Sequence, residues 1–408
     1  MSFVYVLIGF VLLLTCSTLI ILIGDLPGYR GTFIHHLHVL LVNRFYSWLR
    51  SHFECIDRKL FRGVLSSDAS KANISCMAGW SIPIFYLIVI TRCLAYFFME
   101  TFPQITALQH LDESSVNWTL RLWLVIIPVI AVNYSTFLLA VLSDAGTIDP
   151  TTHPKTLKGQ SVLTEFPYDS LIFYPKKCST CNISKPARSK HCSSCDKCVL
   201  MFDHHCVWLN NDVAYYTFRW FFLFLASTCF IFIYGGYLCA HSLELYARLT
   251  PNIPKPILDA PMWRKYWGIV KETTFTNEVT GIMFLLCVCL FPLVGYFFGE
   301  TVWSIYLGVT TNEIGKWNYI NDLRRNQLLY QFFPENGDPC RYLILSDRLT
   351  NGQAVFLTLG DYLPFESSTG GNLRLVTSWN DMNNMYDKGF WSNLHQKLFP
   401  AQLDLYSP

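Results

Sequence analysis

Five stretches of mostly apolar sequence limit what this chain can become. Residues 3–23, 80–99, 121–142, 217–240 and 279–298 are each long enough to cross a hydrocarbon layer as one helix. Inside such a layer the backbone must satisfy its own N–H and C=O groups, and a helix does so within one segment. Composition agrees, with 52% hydrophobic and 15% charged residues, against roughly a quarter charged in a soluble domain. The expectation is an α-helical polytopic membrane protein with about five transmembrane helices. A net charge of +2 gives no reason to expect a nucleic-acid partner.

Charge sets the expected orientation. Residues 3–23 carry no charge and lack the basic start and small-residue cleavage site of a signal peptide, so they read as an uncleaved anchor. The following segment holds Arg30, Arg44, Arg50, Arg58, Lys59, Arg62 and Lys71, which places it in the cytosol and the N-terminus in the lumen. The loop near 100–120 has Glu100, Asp112 and Glu113 but no Lys or Arg before the third span, as a lumenal loop should. Segment 143–216 carries eight lysines and arginines and returns to the cytosol, and alternation makes 241–278 lumenal despite five basic residues. The domain reading is therefore 1–142 for the anchor and spans 1–3, 143–216 for a cytosolic module, 217–298 for spans 4–5, and 299–408 for a cytosolic tail. In the tail, Tyr342–Leu345 and Val355–Leu359 flank Asn351-Gly352 as a β-hairpin would. Phe390, Trp391, Leu394 and Leu398 share one face of a short helix that either lies on the membrane or packs on the protein.

The cytosolic module holds the chemistry. Between Cys178 and Cys206, 29 residues contain six cysteines and three histidines: Cys178, Cys181, His191, Cys192, Cys195, Cys198, His204, His205 and Cys206. Cys-x-x-Cys spacings suit tetrahedral zinc, and metal is expected rather than disulfides in a reducing compartment. A purely structural double-zinc module is one reading. The other notes that the run ends Asp203-His204-His205-Cys206, where an imidazole held by a carboxylate can activate a thiol for attack. That thiol lies about ten residues from a membrane span, which suits a lipid chain as substrate.

The motifs then point to a family. Cys178-x-x-Cys181, Lys185-Pro186-x-Arg188-x-x-His191-Cys192, Cys195-x-x-Cys198 and Asp203-His204-His205-Cys206-x-Trp208-x-Asn210-Asn211 resemble the DHHC protein S-acyltransferases. Asp144-Ala145-Gly146 resembles the family's Asp-Pro-Gly motif, with Ala in place of Pro. Thr310-Thr311-Asn312-Glu313 resembles its Thr-Thr-x-Glu motif, and Asn384-x-Tyr386-Asp387-x-Gly389-x-x-x-Asn393 its C-terminal aromatic/Asn motif.

The resemblance implies that Cys206 takes a fatty acyl group from acyl-CoA (palmitoyl-CoA) and passes it to a substrate cysteine. His204 would be the general base and Asp203 its orienting carboxylate. It implies two structural zincs, one held by Cys178, Cys181, His191 and Cys198. The other would use Cys192, Cys195, His205 and the residue six after the nucleophile. That residue is Asp212, where the family usually has Cys, and Val207 stands where Pro is usual. Carboxylate oxygen can also ligate zinc, so the second zinc is either retained with weakened binding or absent, with packing holding the loop in its place. The resemblance is greatest to the fungal endoplasmic-reticulum branch that modifies SNAREs and other membrane-anchored proteins with juxtamembrane cysteines. A non-catalytic zinc-module scaffold is the competing function, and a zinc-module ubiquitin ligase a third. Taken alone, Thr310 and Glu313 read as a helix cap, Asn393 as a surface residue, and His35, His36 and His38 as surface histidines.

Overall fold

The computed structural model describes residues 20, 24, 29, 31–45, 48, 68–108, 117–148, 155–156, 166–249, 260–273, 277–335, 340–350, 353–360, 362–365 and 370–404. The anchor expected at 3–23 lies outside the described residues, Ile20 apart. Four helices among those described are long and apolar enough to span a membrane. They are α1 (Gly79–Ala107), α2 (Trp118–Leu142), α3 (Phe218–Leu249) and, after the short amphipathic α4 (Met262–Thr273), α5 (Glu278–Tyr306). The chain divides into two compact units, Met1–Thr136 with Leu223–Gly299, and Phe137–Phe222 with Glu300–Pro408.

In the first unit, polar side chains stitch the helices together, because hydrocarbon offers them no water. Asn133 of α2 donates to Ser227 Oγ at 3.0 Å and Thr228 Oγ1 at 2.9 Å on α3, and accepts from Tyr86 OH of α1 at 3.0 Å. Nearer the ends, Thr101 pairs with Thr280 at 3.0 Å, and Gln104 accepts from Ser242 and Asn277. Glu244 accepts from Lys265 of α4 at 2.6 Å. These partners explain a difference from the sequence reading. Helices α1 and α3 run to Ala107 and Leu249, past the expected ends at 99 and 240, because the polar residues of their last turns are satisfied.

The second unit holds the Cys/His-rich segment as three small antiparallel hairpins. Strand β1 (Lys176–Lys177) pairs with β2 (Ser184–Lys185), β3 (Lys190–Cys192) with β4 (Lys197–Val199), and β5 (His204–Cys206) with β6 (Asn211–Val213). After α5 comes α6 (Thr311–Arg325), then a four-stranded antiparallel sheet. It consists of β7 (Leu329–Pro334), β8 (Arg341–Thr350), β9 (Gln353–Thr358) and β10 (Gly371–Leu375), in the order β9-β8-β7-β10. The expected hairpin is present, with Leu345 opposite Phe356, Ile344 opposite Leu357 and Leu343 opposite Thr358. One core joins sheet, α6 and hairpins, including Leu171, Phe173, Leu200, Tyr215, Trp317 and Ile344.

The expected short helix is present as α7 (Phe390–Leu398), and a face other than its apolar stripe is the buried one. Its buried residues are Asn393 and Lys397, while Trp391 is 77% exposed. Asn393 is thus no surface residue. It donates to the carbonyl of Ile305 at 3.0 Å and to Asp387, and accepts from the Lys388 N–H. Hydrogen bonds at the end of α5, whose last carbonyls lack helical partners, outweigh the apolar stripe.

Candidate active site and metal clusters

Strand alternation sorts the Asp-His-His-Cys run. Successive side chains of a strand point to opposite faces, so His204 and Cys206 share one face of β5 and His205 takes the other. In the hairpin register His205 lies directly opposite Asp212, and Cys206 opposite Asn211. The same rule separates His191 from Cys192 on β3, with His191 opposite Cys198. Two groups of ligand atoms result, each gathered within 4.8 Å: Cys178, Cys181, His191 and Cys198, then Cys192, Cys195, His205 and Asp212. All eight expected metal-site residues fall into these two groups.

Local backbone supports this gathering. After Cys181 and Cys195, the second cysteines of the 178/181 and 192/195 pairs, the next residue adopts a left-handed conformation, Asn182 at φ 55° and Asp196 at φ 51°. Asn and Asp tolerate that region best among non-glycine residues. In the second group Asp212 is 0% exposed, its Oδ1 2.8 Å from His205 Nδ1 and 3.0 Å from Cys192 Sγ. Its Oδ2 is buried with no hydrogen-bond partner among the described residues. Burial and the neighbouring Asp212 carboxylate raise the pKa of Cys192 and Cys195. A divalent cation inverts that local logic and relieves both the orphaned oxygen and the crowded thiols. The donor set therefore fits a metal ion in each group. His35, His36 and His38 belong to neither group; His35 Nδ1 lies 2.8 Å from the Gly24 carbonyl.

On the other face of β5, Asp203 Oδ2 lies 2.7 Å from His204 Nδ1. Asp203 is buried, and its Oδ1 accepts from the Thr311 backbone N–H at 2.9 Å. Burial alone would raise the Asp203 pKa, but the hydrogen bond and charge of His204, with Lys397 and Thr311, lower it to about 2. Burial alone would lower that of His204, yet its hydrogen bonds to Asp203 and Cys206 and the charges behind them raise it to about 10. The arrangement strongly stabilises an imidazolium beside a thiol.

The Thr-Thr-x-Glu motif is both cap and support. Thr310 is the N-cap of α6 and closes a capping box with Glu313. The same carboxylate takes a fork from Arg188, Nε to Oε1 at 2.7 Å and Nη2 to Oε2 at 2.6 Å. Arg188 is 2% exposed and Glu313 1%. Arg188 also donates to the Gly308 carbonyl at 3.1 Å and stacks over Tyr386 at 4.8 Å. Asn384 donates to the Leu307 carbonyl, so the C-terminal motif grips the turn before α6. Asn211 Nδ2 lies 2.9 Å from the carbonyls of Ala140 and Ser143 and 3.3 Å from that of Val141, at the end of α2. Asp144 accepts from the Gly146 and Thr147 N–H groups, and Gly146 sits at φ 103°.

Sequence reasoning gave Arg188, Asn211 and Lys397 no role. The first two stood inside quoted motifs, whereas nothing local marks Lys397.

Comparison with known proteins identifies the family. Residues 172–318 match the family model described as DHHC palmitoyltransferase. A palmitoyltransferase named swf1 from Schizosaccharomyces pombe is 30% identical over 412 residues, covering 100% of this chain and 99% of that protein. Palmitoyltransferase SWF1 of Candida albicans is 34% identical, covering 94% of this chain and 95% of that protein. SWF1 of Yarrowia lipolytica is 30% identical over 96% of the chain and 97% of its own length. This membrane protein belongs to the DHHC palmitoyltransferase family and is a protein S-palmitoyltransferase.

Proposed function

We propose that Cys206 is the nucleophile, His204 its general base and Asp203 the orienting carboxylate. The observation that carries the reading is the Asp203–His204 contact at 2.7 Å on the face of β5 that also bears Cys206. With Nδ1 engaged, Nε2 is the nitrogen left for the thiol. The Cys206 proton passes to His204, leaving a thiolate beside the imidazolium that Asp203 stabilises, and Sγ then attacks the thioester carbonyl of palmitoyl-CoA. The carbon–sulfur bond to CoA breaks, and the CoA thiolate leaves with that proton. A substrate cysteine then gives its proton to His204 and takes the acyl group, which restores the Cys206 thiol.

Support for acyl-CoA comes from a cluster of lysines. Lys176 lies opposite Lys185 across β1 and β2, a like-charge pairing that costs stability unless an anion joins it. Burial lowers the pKa of Lys316 to about 8, with the charges of Lys185 and Lys190 acting the same way and those of Glu313 and Asp169 opposing them. The phosphates of CoA would satisfy these ammonium groups.

The metal in both groups is read as zinc, held by Cys178, Cys181, His191 and Cys198, and by Cys192, Cys195, His205 and Asp212. When bound it supplies structural cross-links to hairpins too short to persist alone. Acceptors are read as membrane-anchored proteins such as SNAREs with juxtamembrane cysteines, because Cys206 precedes the start of α3 at Phe218 by only a short connection. The positive-inside pattern supports a cytosolic module and a lumenal N-terminus, and the resemblance to the fungal branch supports the endoplasmic reticulum membrane.

Detergent-solubilised protein given a palmitoyl-CoA probe should form a hydroxylamine-sensitive thioester that Cys206→Ser abolishes. Folded protein that takes no label would reject the enzymatic assignment of Cys206. Metal analysis should give about two ions per chain, falling to about one in Asp212→Ala. A wild-type value near one would remove Asp212 from the ligand set.

A further inference from the structure

The buried charges of the second unit leave one cation to explain. Among its described residues the buried charged side chains are Arg188, Asp203, Asp212, Glu313 and Lys397. Arg188 and Glu313 neutralise each other, and Asp212 faces the second metal group. Asp203 pairs with His204, so Lys397 is the one buried charge left with no ion-pair partner among the described residues, and Asp203 is the carboxylate whose charge bears most on it.

Lys397 is 3% exposed. Its ammonium donates to the Val309 carbonyl at 2.9 Å and to Ser304 Oγ at 3.4 Å, and sits 4.4 Å over the ring of Phe218. No carboxylate among the described residues lies within ion-pair distance of it. A buried ammonium costs several kcal/mol unless the surroundings compensate it, and an apolar side chain could fill the same space. Burial lowers its pKa to about 8, opposed first by the charge of Asp203, so it stays protonated at neutral pH.

Its contacts lead to the site by a short path. Ser304 and Val309 bracket the turn between α5 and α6, and the Val309 N–H itself donates to the Ser304 carbonyl. Lys397 holds both ends of that turn. Two residues after Val309, the Thr311 N–H is the donor that seats Asp203 Oδ1. Charge and hydrogen bonding thus converge on one carboxylate from one lysine on α7.

We propose that Lys397 is a positioning residue for acyl transfer: a buried cation that fixes the Ser304–Val309 turn and balances Asp203, so that its carboxylate stays seated between Thr311 and His204. The inference rests on the roles proposed above for Asp203, His204 and Cys206. It concerns a residue outside the resembled motifs, since Lys397 follows the last of them at Asn393.

Lys397→Met, which keeps length and removes charge, tests it. Single-turnover labelling with palmitoyl-CoA should slow by about tenfold to a hundredfold, as small misplacements of reacting groups do, with an unchanged KM for palmitoyl-CoA. The electrostatic half is read from melting midpoints of solubilised protein. Lys397→Met should lower the midpoint of the otherwise unaltered chain but not that of Asp203→Asn, where no charge is left to balance. A labelling rate equal to wild type in folded Lys397→Met overturns the proposal. So does an equal drop in midpoint in both backgrounds, which is what loss of packing would give. If Lys397→Met does not fold, recovery of folded protein in the double variant supports the proposal and failure to recover rejects it. Absence of label in wild type would instead reject the assignment of Cys206.

Discussion

Replacing Glu313 by Gln isolates one charge at the support of the site. Gln keeps the shape of the side chain and can still close the capping box with Thr310, so the loss is the carboxylate's charge against Arg188. With Arg188 2% exposed, no water can replace the partner. Removing one member of a buried pair costs about 3–5 kcal/mol. The Gly308 carbonyl and the Tyr386 ring stay beside the guanidinium, which points to the lower end, about 3 kcal/mol. Glu313→Ala removes the cap as well and should cost a further ~0.5–2 kcal/mol. Against a typical stability of about 5–15 kcal/mol, either change is large. The assay is native-state hydrogen exchange of the α6 amides, which reports the free energy of opening. Arg188→Met combined with Glu313→Leu should regain most of the loss, because an apolar pair of similar volume carries no unpaired charge. A cost below about 1 kcal/mol for Glu313→Gln would refute the reasoning, as would a double variant no better than the single.

Asn211→Ala should destabilise the protein by about 1–3 kcal/mol, because buried carbonyls at the end of α2 lose their donor; an unmoved thermal midpoint would count against that capping role. The Asp203–His204 pair should stabilise the fold in a defined pH window. Asp203 is lowered from 3.8 to about 2, so its contribution is present above pH 3.8 and lost as pH falls through 2. His204 is raised from 6.5 to about 10, so its contribution is full below 6.5 and lost as pH rises through 10. The stability gap between wild type and His204→Gln should therefore be widest between pH 3.8 and 6.5 and narrow toward pH 10. A gap that grows with pH over that range would contradict the assignment.

Much of this molecule was legible from residue order because its strongest constraints are local. Four of the expected spans stand out by length and apolarity, and the tail hairpin by alternation around a turn dipeptide. The Cys/His run marks itself by spacing. What residue order could not supply is which of its residues share an ion, because that depends on strand pairing. Only the β5–β6 register sets His205 against Asp212 and turns Cys206 away. The buried face of α7, with Asn393 and Lys397, was hidden for a related reason. The helix's apolar stripe is plain in the sequence, but the carbonyls of Ile305 and Val309 that favour the other face belong to residues about ninety positions earlier. Lys397 was invisible for the same reason, since a lone lysine on a short helix ordinarily meets water.

The dependence on α7 also orders events during synthesis. Residues 203–206 leave the ribosome well before Asn393 and Lys397, and at roughly 5–20 residues per second the interval is about 10–40 s. Throughout that time the carbonyls of Ile305 and Val309 have no partner from α7, and Asp203 lacks its balancing cation. A nascent chain thus carries its Cys206 thiol while the contacts around the Asp203 carboxylate are incomplete. On the role proposed for Lys397, full acyl transfer therefore waits until residue 397 has been made.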